Sequence, residues 1–228
     1  MLSNDPADLP FPVTQNADGT VTLVIDMAVL GHSDAPDPSG RIGPKDSQNY
    51  FAIDVRGDSY FVEGALYPGG TIPVPTRPST LSVFPDAPPK LNNETVWDFR
   101  VPPIGSHFNR GWVLINGNQM PGFDTRGTPV DSARQVPHLL STHSFFFGLF
   151  SPDTLSPPSL VTQGVENGND PDAEVVHRAI AGGTGPFRFA RGEVRQDRIG
   201  RNTTRLRSFS KAGDVLAPNY RFTFLLRL

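Results

Sequence analysis

Three carboxylates interrupt otherwise apolar stretches of this chain. Asp26 breaks Val24-Ile25-Asp26-Met27-Ala28-Val29, Asp54 breaks Phe51-Ala52-Ile53-Asp54-Val55, and Glu63 breaks Tyr60-Phe61-Val62-Glu63-Gly64-Ala65. A carboxylate facing an apolar interior must be paired or carry a raised pKa. Beside a bound, reactive ligand it can then donate or accept a proton. On the solvent face of an alternating strand it does neither. Asp26 is the first candidate for a catalytic acid or base, because its neighbours on both sides are apolar, and Glu63 is the second. Among five histidines, none pairs with another at a spacing that sets two metal ligands on one element, so no metal site is expected. A satisfied or surface histidine is the ordinary reading of each. His143 stands apart because it shares a strand face with Ser141, Phe145 and Phe147, which makes a lumenal histidine among aromatics. There is no Gly-x-Ser-x-Gly elbow and no His-Glu-x-x-His pair. The absence of cysteine removes disulfides, thiolate metal sites and cysteine nucleophiles together.

A second cluster of signal lies at Ile180-Ala181-Gly182-Gly183-Thr184-Gly185-Pro186-Phe187-Arg188-Phe189-Ala190-Arg191-Gly192. It reads as a strand end, a tight glycine turn and the start of another strand, an ordinary β-hairpin by its physics. A phosphate-binding loop does not fit, since no Lys-Ser or Lys-Thr follows and the G-x-G-x-x-G spacing is absent. Arg188 and Arg191 lie on opposite faces of a regular strand, so only one of them reaches an interior unless Gly192 supplies a bulge.

The elements that must position these groups are strands. No window of a dozen residues free of Gly or Pro carries helical apolar spacing. Strand signals cover Thr20–Leu30, Tyr50–Val55, Ser59–Tyr67, Gly111–Asn116, Leu139–Phe150, Glu174–Ala181, Phe187–Ile199, Arg205–Ser210 and Asn219–Leu228, with Arg56-Gly57-Asp58 as a hairpin turn. At the C-terminus Tyr220, Phe222, Phe224 and Leu226 share one face and Arg221, Thr223, Leu225 and Arg227 the other. Phe145-Phe146-Phe147 makes a strand apolar on both faces, hence one covered on both. Residues 72–100, which include a proline-dense stretch, and Ser151–Asp172 lack strand character and read as straps, lids or surface excursions. No internal repeat appears, and residues 1–228 read as a single domain.

Gly-Gly-Thr-Gly-x-Phe-Arg-x-Ala-Arg-Gly at 182–192 resembles the signature hairpin of dirigent proteins, whose allene oxide cyclase relatives carry a Gly-Gly-Ser-Gly-x-Phe version. In the same order, Ile104-Gly105 with Gly111-Trp112-Val113-Leu114-Ile115 is similar to a cyclase strand. So are Ser144-Phe145-Phe146-Phe147-Gly148 and Tyr220-Arg221-Phe222-Thr223-Phe224-Leu225-Leu226. The resemblance spans roughly residues 104–228. It implies a trimeric barrel that binds a radical, quinone methide or unsaturated epoxide in an apolar lumen lined by acidic and arginine side chains. Arg188 and Arg191 match the signature hairpin, and Asp26 falls where the cyclase has its first-strand glutamate. Trp112 stands at the position of the cyclase cysteine, so authentic allene oxide cyclase activity is not expected.

The expectations are therefore an all-β fold, an antiparallel barrel of about eight strands with long proline-rich loops, or a two-sheet jelly roll. The function expected is a cofactor-free cyclase or stereocontrolling protein for an apolar conjugated small molecule, confined so that binding becomes orientation. Asp26 or Glu63 moves the proton and Arg191 or Arg188 stabilises negative charge. Trp112, His143, Phe145, Phe147, Arg188, Tyr220 and Phe222 line the site. The alternatives are a non-catalytic carrier and a solidly packed structural barrel, against which Gly64, Ala65, Ala179 and Ala181 are expected to leave room. A formal charge of -3 gives no general attraction to nucleic acid or anionic lipid. No run of about 18 apolar residues spans a membrane, and no signal peptide is visible at Met1-Leu2-Ser3-Asn4-Asp5, so the chain is cytoplasmic or exported with its leader trimmed. A homotrimer is the first expectation for assembly and a strap-covered monomer the second.

Overall fold

The computed structural model describes residues 11–35, 59–74, 96–115, 138–148, 157–167, 175–207 and 214–228. Among the described residues ten strands form one sheet: β1 (Thr14–Gln15), β2 (Val21–Ala35), β3 (Ser59–Pro68), β4 (Val96–Trp97), β5 (Gly105–Ile115), β6 (His138–Phe147), β7 (Ser159–Asn167), β8 (Val175–Gly183), β9 (Arg191–Arg207) and β10 (Asp214–Arg227). Their order is β2-β10-β9-β8-β7-β6-β5-β3, and β3 pairs back onto β2. The result is a closed antiparallel barrel of eight strands, with β1 added to β2 and β4 lying parallel to β9. Closure removes the unpaired edges that a jelly roll would leave. No helix among the described residues is long and apolar enough to cross a membrane. The strand at Tyr50–Val55, the Arg56-Gly57-Asp58 turn and Asp54 lie outside the described residues, as does most of the proline-dense stretch.

Period-two alternation sorts each strand into a lumenal and an outer set. Val21, Leu23, Ile25, Met27 and Val29 of β2 face the lumen with Phe222, Phe224 and Leu226 of β10 and Phe145 and Phe147 of β6. The floor of the barrel is aromatic. Phe147 meets Phe11 at 4.5 Å and Phe187 at 5.2 Å between ring centroids. Phe187 does not begin a strand as expected. It ends a short 3-10 turn, Gly185–Phe187, and its side chain is fully buried in the core. The hairpin therefore has a wide connection rather than a tight turn, entered at Gly185 with φ +62°, and β9 starts at Arg191.

Two further corrections concern strand extent. Residues 159–167, read as loop, form β7, because Leu160, Thr162, Gly164 and Glu166 face inward and the polar or absent side chains hide the alternation. The two separate strands expected at Phe187–Ile199 and Arg205–Ser210 are instead one strand, β9, over Arg191–Arg207, with residues 208–210 outside the described residues and irregular pairing to β10 between Leu216 and Pro218 and between Asn219 and Tyr220. Buried Asn202 and Asn219 supply hydrogen bonds there. Asn202 Nδ2 donates to Val29 O at 3.1 Å and to Asn219 Oδ1 at 2.8 Å, and Asn219 Nδ2 donates to Arg201 O at 2.7 Å. Asn202-Thr203-Thr204 fits the Asn-x-Ser/Thr glycosylation pattern, but in the fold the Asn202 amide is buried and its hydrogen bonds are taken.

Asp26 points away from the lumen. Its chain neighbours Ile25 and Met27 face inward, and its carboxylate lies on the outer wall opposite Arg221 of β10. Arg221 Nε donates to Oδ1 at 2.7 Å and Nη2 to Oδ2 at 3.0 Å, while Ile72 N donates to Oδ2 at 2.9 Å. The carboxylate is fully buried because the segment through Ile72 covers it, beside a second apolar cluster of Ala28, Ala65, Tyr67, Trp97 and Ile199. Asp26 thus fastens a strap to the barrel wall. Replacing it with alanine strands the Arg221 guanidinium and the Ile72 amide, and is expected to lower unfolding free energy by about 2–3 kcal/mol. Thermal denaturation of Asp26→Ala measures this, and an unchanged melting temperature would deny the fastening role.

Candidate functional site

Above the aromatic floor the lumen turns polar, and the register shows how. On β5, β6 and β7 the inward residues Asn109, His143 and Thr162 stand directly opposite one another. One step nearer the mouth the row is Tyr60, Gly111, Ser141 and Gly164. The two glycines in that row leave room for large neighbours to lie across them. A Cβ at Gly111 would run into the Tyr60 ring, and one at Gly164 would come within 2.9 Å of Arg178 Cγ. Tyr60 reaches over β5 so that its hydroxyl donates to Glu166 Oε1 at 2.7 Å. Arg178 reaches over β7, where Nε donates to Ser141 Oγ at 3.1 Å, Nη1 to Gln196 Oε1 at 2.8 Å and Nη2 to Glu166 Oε2.

The second half of the layer is a histidine pair. His107 Nε2 and His143 Nδ1 share a hydrogen bond of 3.0 Å, and both rings are buried. They rest on phenylalanine: His107 lies 4.9 Å from Phe145 and 5.7 Å from Phe222 between centroids, and Phe145 meets Phe222 edge-on at 4.8 Å. His143 Nε2 stands 3.9 Å from Glu166 Oε1, an electrostatic contact too long for a hydrogen bond. Four buried atoms of this layer have no hydrogen-bond partner: His107 Nδ1, Asn109 Oδ1, His143 Nε2 and Thr162 Oγ1. Three of them belong to the Asn109, His143, Thr162 row.

The protonation states follow from burial and neighbours. Burial alone would raise the Glu166 carboxyl, but the Arg178 guanidinium, His143 and the Tyr60 hydroxyl hold it well below the usual carboxylate range. Burial, then the Glu166 charge, pushes the Tyr60 hydroxyl far above the usual phenol range. Burial and the Arg178 charge bring His143 down to about 4, and burial with His143 and Arg178 brings His107 well below its ordinary value. At neutral pH the layer is therefore an ionised Glu166–Arg178 pair, a protonated Tyr60 and two neutral imidazoles. Glu166 and Tyr60 are locked in their states, which leaves the imidazoles as the groups able to exchange a proton with a ligand.

The expected site residues divide in two. His143, Phe145, Phe147, Tyr220 and Phe222 lie on the lumenal face, Tyr220 half-buried toward the mouth. Asp26, Glu63, Trp112, Arg188 and Arg191 do not. Glu63 is exposed on the outer face of β3, and Trp112 is 37% exposed on the outer face of β5 with Arg110 over its ring at 5.0 Å. Arg188 and Arg191 are exposed at the floor end, and Arg188 stacks over Phe189 at 4.9 Å. Of the small residues expected to leave space inside, Ala65 sits in the outer cluster, Ala179 and Ala181 are exposed, and Gly64 alone faces the lumen. His107, Tyr60, Arg178 and Glu166 were not singled out from the sequence. The signal for Arg178 was present as a charge at the inward parity of Val176 and Ile180. Glu166 was hidden by the polar character of β7.

These protonation states carry a sign. The unfolded histidines titrate near 6.5, whereas His143 in the fold titrates at about 4. The unfolded chain therefore takes up protons first as pH falls. The stabilisation is complete above the unfolded value and is lost as pH drops toward the folded one, at up to about 1.4 kcal/mol per pH unit for each such histidine. Glu166, whose pKa is also lowered by folding, acts in the same direction at lower pH. The melting temperature is expected to be level above neutrality and to fall progressively below it, with a shallower fall in His143→Gln. A level profile down to the carboxylate range would contradict the buried neutral pair.

No protein-family model matches the sequence, and no curated protein matches it. Solved structures are similar to it in fold. A pyocyanin demethylase aligns with a TM-score of 0.43 at 13% identity, over 90% of this chain and 99% of that one. Two pterocarpan synthase dirigent proteins align with TM-scores of 0.48 and 0.47 at 13% and 14% identity, over 91% and 92% of this chain and 94% and 85% of theirs.

Proposed function

We propose that the barrel binds an apolar, conjugated small molecule at the polar end of its lumen and steers its reaction without a cofactor. The observation that carries this reading is the set of four buried polar atoms without partners, three on the Asn109, His143, Thr162 row and the fourth on neighbouring His107, above a phenylalanine shelf. Buried polar groups are normally satisfied, and each one left unpaired costs about 1–3 kcal/mol. A ligand with an aromatic body and a polar rim answers both surfaces: the rings of Phe145 and Phe222 take its body, and the row takes its rim. Holding such a molecule in one conformer turns entropy lost on binding into orientation for cyclisation or coupling. The neutral imidazoles supply a proton acceptor and donor, and the Glu166–Arg178 pair supplies a fixed field at the mouth.

A carrier without chemistry is the second reading. It is favoured by the locking of Glu166 and Tyr60, which removes two of the ionisable groups from proton transfer. Turnover separates the two readings, since a carrier binds the same molecule and releases it unchanged.

Homotrimeric assembly is proposed alongside. The outer faces of β3, β5 and β6 carry Phe61, Phe108 and Phe146, joined by ring contacts at 5.7 and 5.9 Å, with exposed Trp112 and Leu114 nearby. An aromatic face of this kind, interspersed with Glu63 and Arg110, is suited to burial against a second copy. Light scattering on the full chain reads the mass directly, and a sharp 24.8 kDa species would establish a monomer.

Thr162→Val tests the ligand site with little change in volume. Removing a buried hydroxyl without a partner is expected to raise stability by about 1 kcal/mol and to weaken binding of 2-naphthol, followed by its fluorescence, by about three- to tenfold. Undiminished binding in the stabilised variant would mean that this row does not meet the ligand.

A further inference from the structure

The histidine pair has two possible proton arrangements, and they present opposite faces to a ligand. One hydrogen joins His107 Nε2 and His143 Nδ1. If His143 Nδ1 donates it, then neutral His143 carries a lone pair on Nε2 and neutral His107 carries its hydrogen on Nδ1. If His107 Nε2 donates it, His143 carries its hydrogen on Nε2 and His107 Nδ1 is a bare lone pair. The two rings are neutral, so no third arrangement satisfies the shared bond.

The choice is made by Glu166. Its Oε1 stands 3.9 Å from His143 Nε2, and Arg178 and Tyr60 keep it ionised. A lone pair on His143 Nε2 would face that carboxylate in a buried setting, whereas an N–H there is attracted to it. The Arg178 guanidinium opposes this, since its charge lowers the pKa of both histidines, but its N–H groups are turned to other acceptors. Arg178 engages Ser141, Gln196 and Glu166, Asn109 and Thr162 are uncharged, and Phe145 and Phe222 supply ring contacts. Resting on the ligand-site reading above, we infer that Glu166 fixes both histidines as Nε2–H tautomers. His107 Nδ1 is thereby made an unpaired acceptor, and the site selects conjugated molecules that bring a hydrogen-bond donor, a phenolic O–H or a ring N–H.

An O–H or N–H held against His107 Nδ1 can pass its hydrogen to that nitrogen, leaving the electron pair on the ligand and a positive charge on the histidine pair. Ionised Glu166 offsets part of that charge without taking the proton, against the larger opposing effects of burial and the Arg178 cation. Return of the proton to a different ligand atom completes an isomerisation that needs no oxidant, reductant or second substrate. Glu166 and His143 act here as positioning residues, and His107 is the group that meets the ligand.

Long-range nitrogen–proton NMR correlations on the full-length, nitrogen-15-labelled protein at neutral pH read the tautomers directly. The signals of His107 and His143 are assigned by their loss in His107→Gln and His143→Gln. Both rings are expected to be protonated on Nε2, and a Nδ1–H form of either would overturn the inference. In Glu166→Gln, which keeps the side-chain shape and an acceptor for Tyr60, Nδ1–H forms are expected to appear, and an unchanged pattern would remove Glu166 from the assignment. Wild-type protein is then titrated with 2-naphthol and with 2-methoxynaphthalene, which lacks the donor. The naphthol is expected to bind at least tenfold more tightly and to shift the His107 Nδ1 resonance. Equal affinities would overturn the selection for a donor. Binding of neither probe would sink the ligand-site reading itself, while the wild-type tautomers would still decide the arrangement of the pair.

Discussion

Arg178 is an arginine with no side-chain exposure inside a β-barrel of eight strands, and much of the lumen is arranged around that fact. A guanidinium taken out of water must find a charge partner and enough acceptors for its remaining N–H groups. Glu166 supplies the charge, and Ser141 and Gln196 supply the other acceptors. Reaching three strands from β8 requires the side chain to cross β7, and Gly164 is what lets it cross. Tyr60 repeats the device over Gly111 from the opposite side. Two inward glycines thus set the polar layer, and the layer sets the states of the histidines beneath it.

Asp26, fully buried, and Glu166, slightly exposed, show how the same group takes different roles from different surroundings. Asp26 accepts from both ends of the Arg221 fork and from the Ile72 amide, and all of these partners are structural. Glu166 accepts from Arg178 and Tyr60 but leaves Oε1 facing His143. The first fixes a strap to the outer wall. The second projects its charge onto a pair of neutral rings whose remaining nitrogens lack partners.

The fold was legible from alternation and turn residues, and the parity within single strands was legible too. His143 does share a face with Ser141, Phe145 and Phe147, and Phe222 does share one with Phe224 and Leu226. What alternation does not carry is which face is the inside when both faces are covered. On β2 the outer side holds Ala28 beneath the strap, so apolar neighbours surrounded Asp26 from both sets and gave no sign of its direction. On β7 the reverse holds, because an inner set of Leu160, Thr162, Gly164 and Glu166 looks like loop. The residues that a lumen uses for polar work are those that erase the pattern by which a strand is recognised. The glycine hairpin fails for a related reason. Its most distinctive residues serve the turn and the floor, with Phe187 buried there and Arg188 left in solvent.

The division of the lumen into an aromatic floor and a polar upper layer also distributes order. At the floor, Phe11, Phe147 and Phe187 pack ring on ring, and the β3, β6 and β8 ends are tied by backbone hydrogen bonds such as Phe147 N to Pro158 O at 2.8 Å. Toward the mouth, register shifts fall at Val29/Gly31, Val113/Ile115 and Leu216/Pro218, where extra residues re-aim the strand ends. A closely packed base beneath irregularly paired strand ends lets side chains above the base be placed individually while the barrel remains closed. While β7 shifts against β8 at Val161/Thr162, the unpaired atoms sit between these two regimes above packed rings, in regular register across β5, β6 and β7. That is the condition under which an unsatisfied polar row acts as a recognition surface, because its geometry is already present before anything binds.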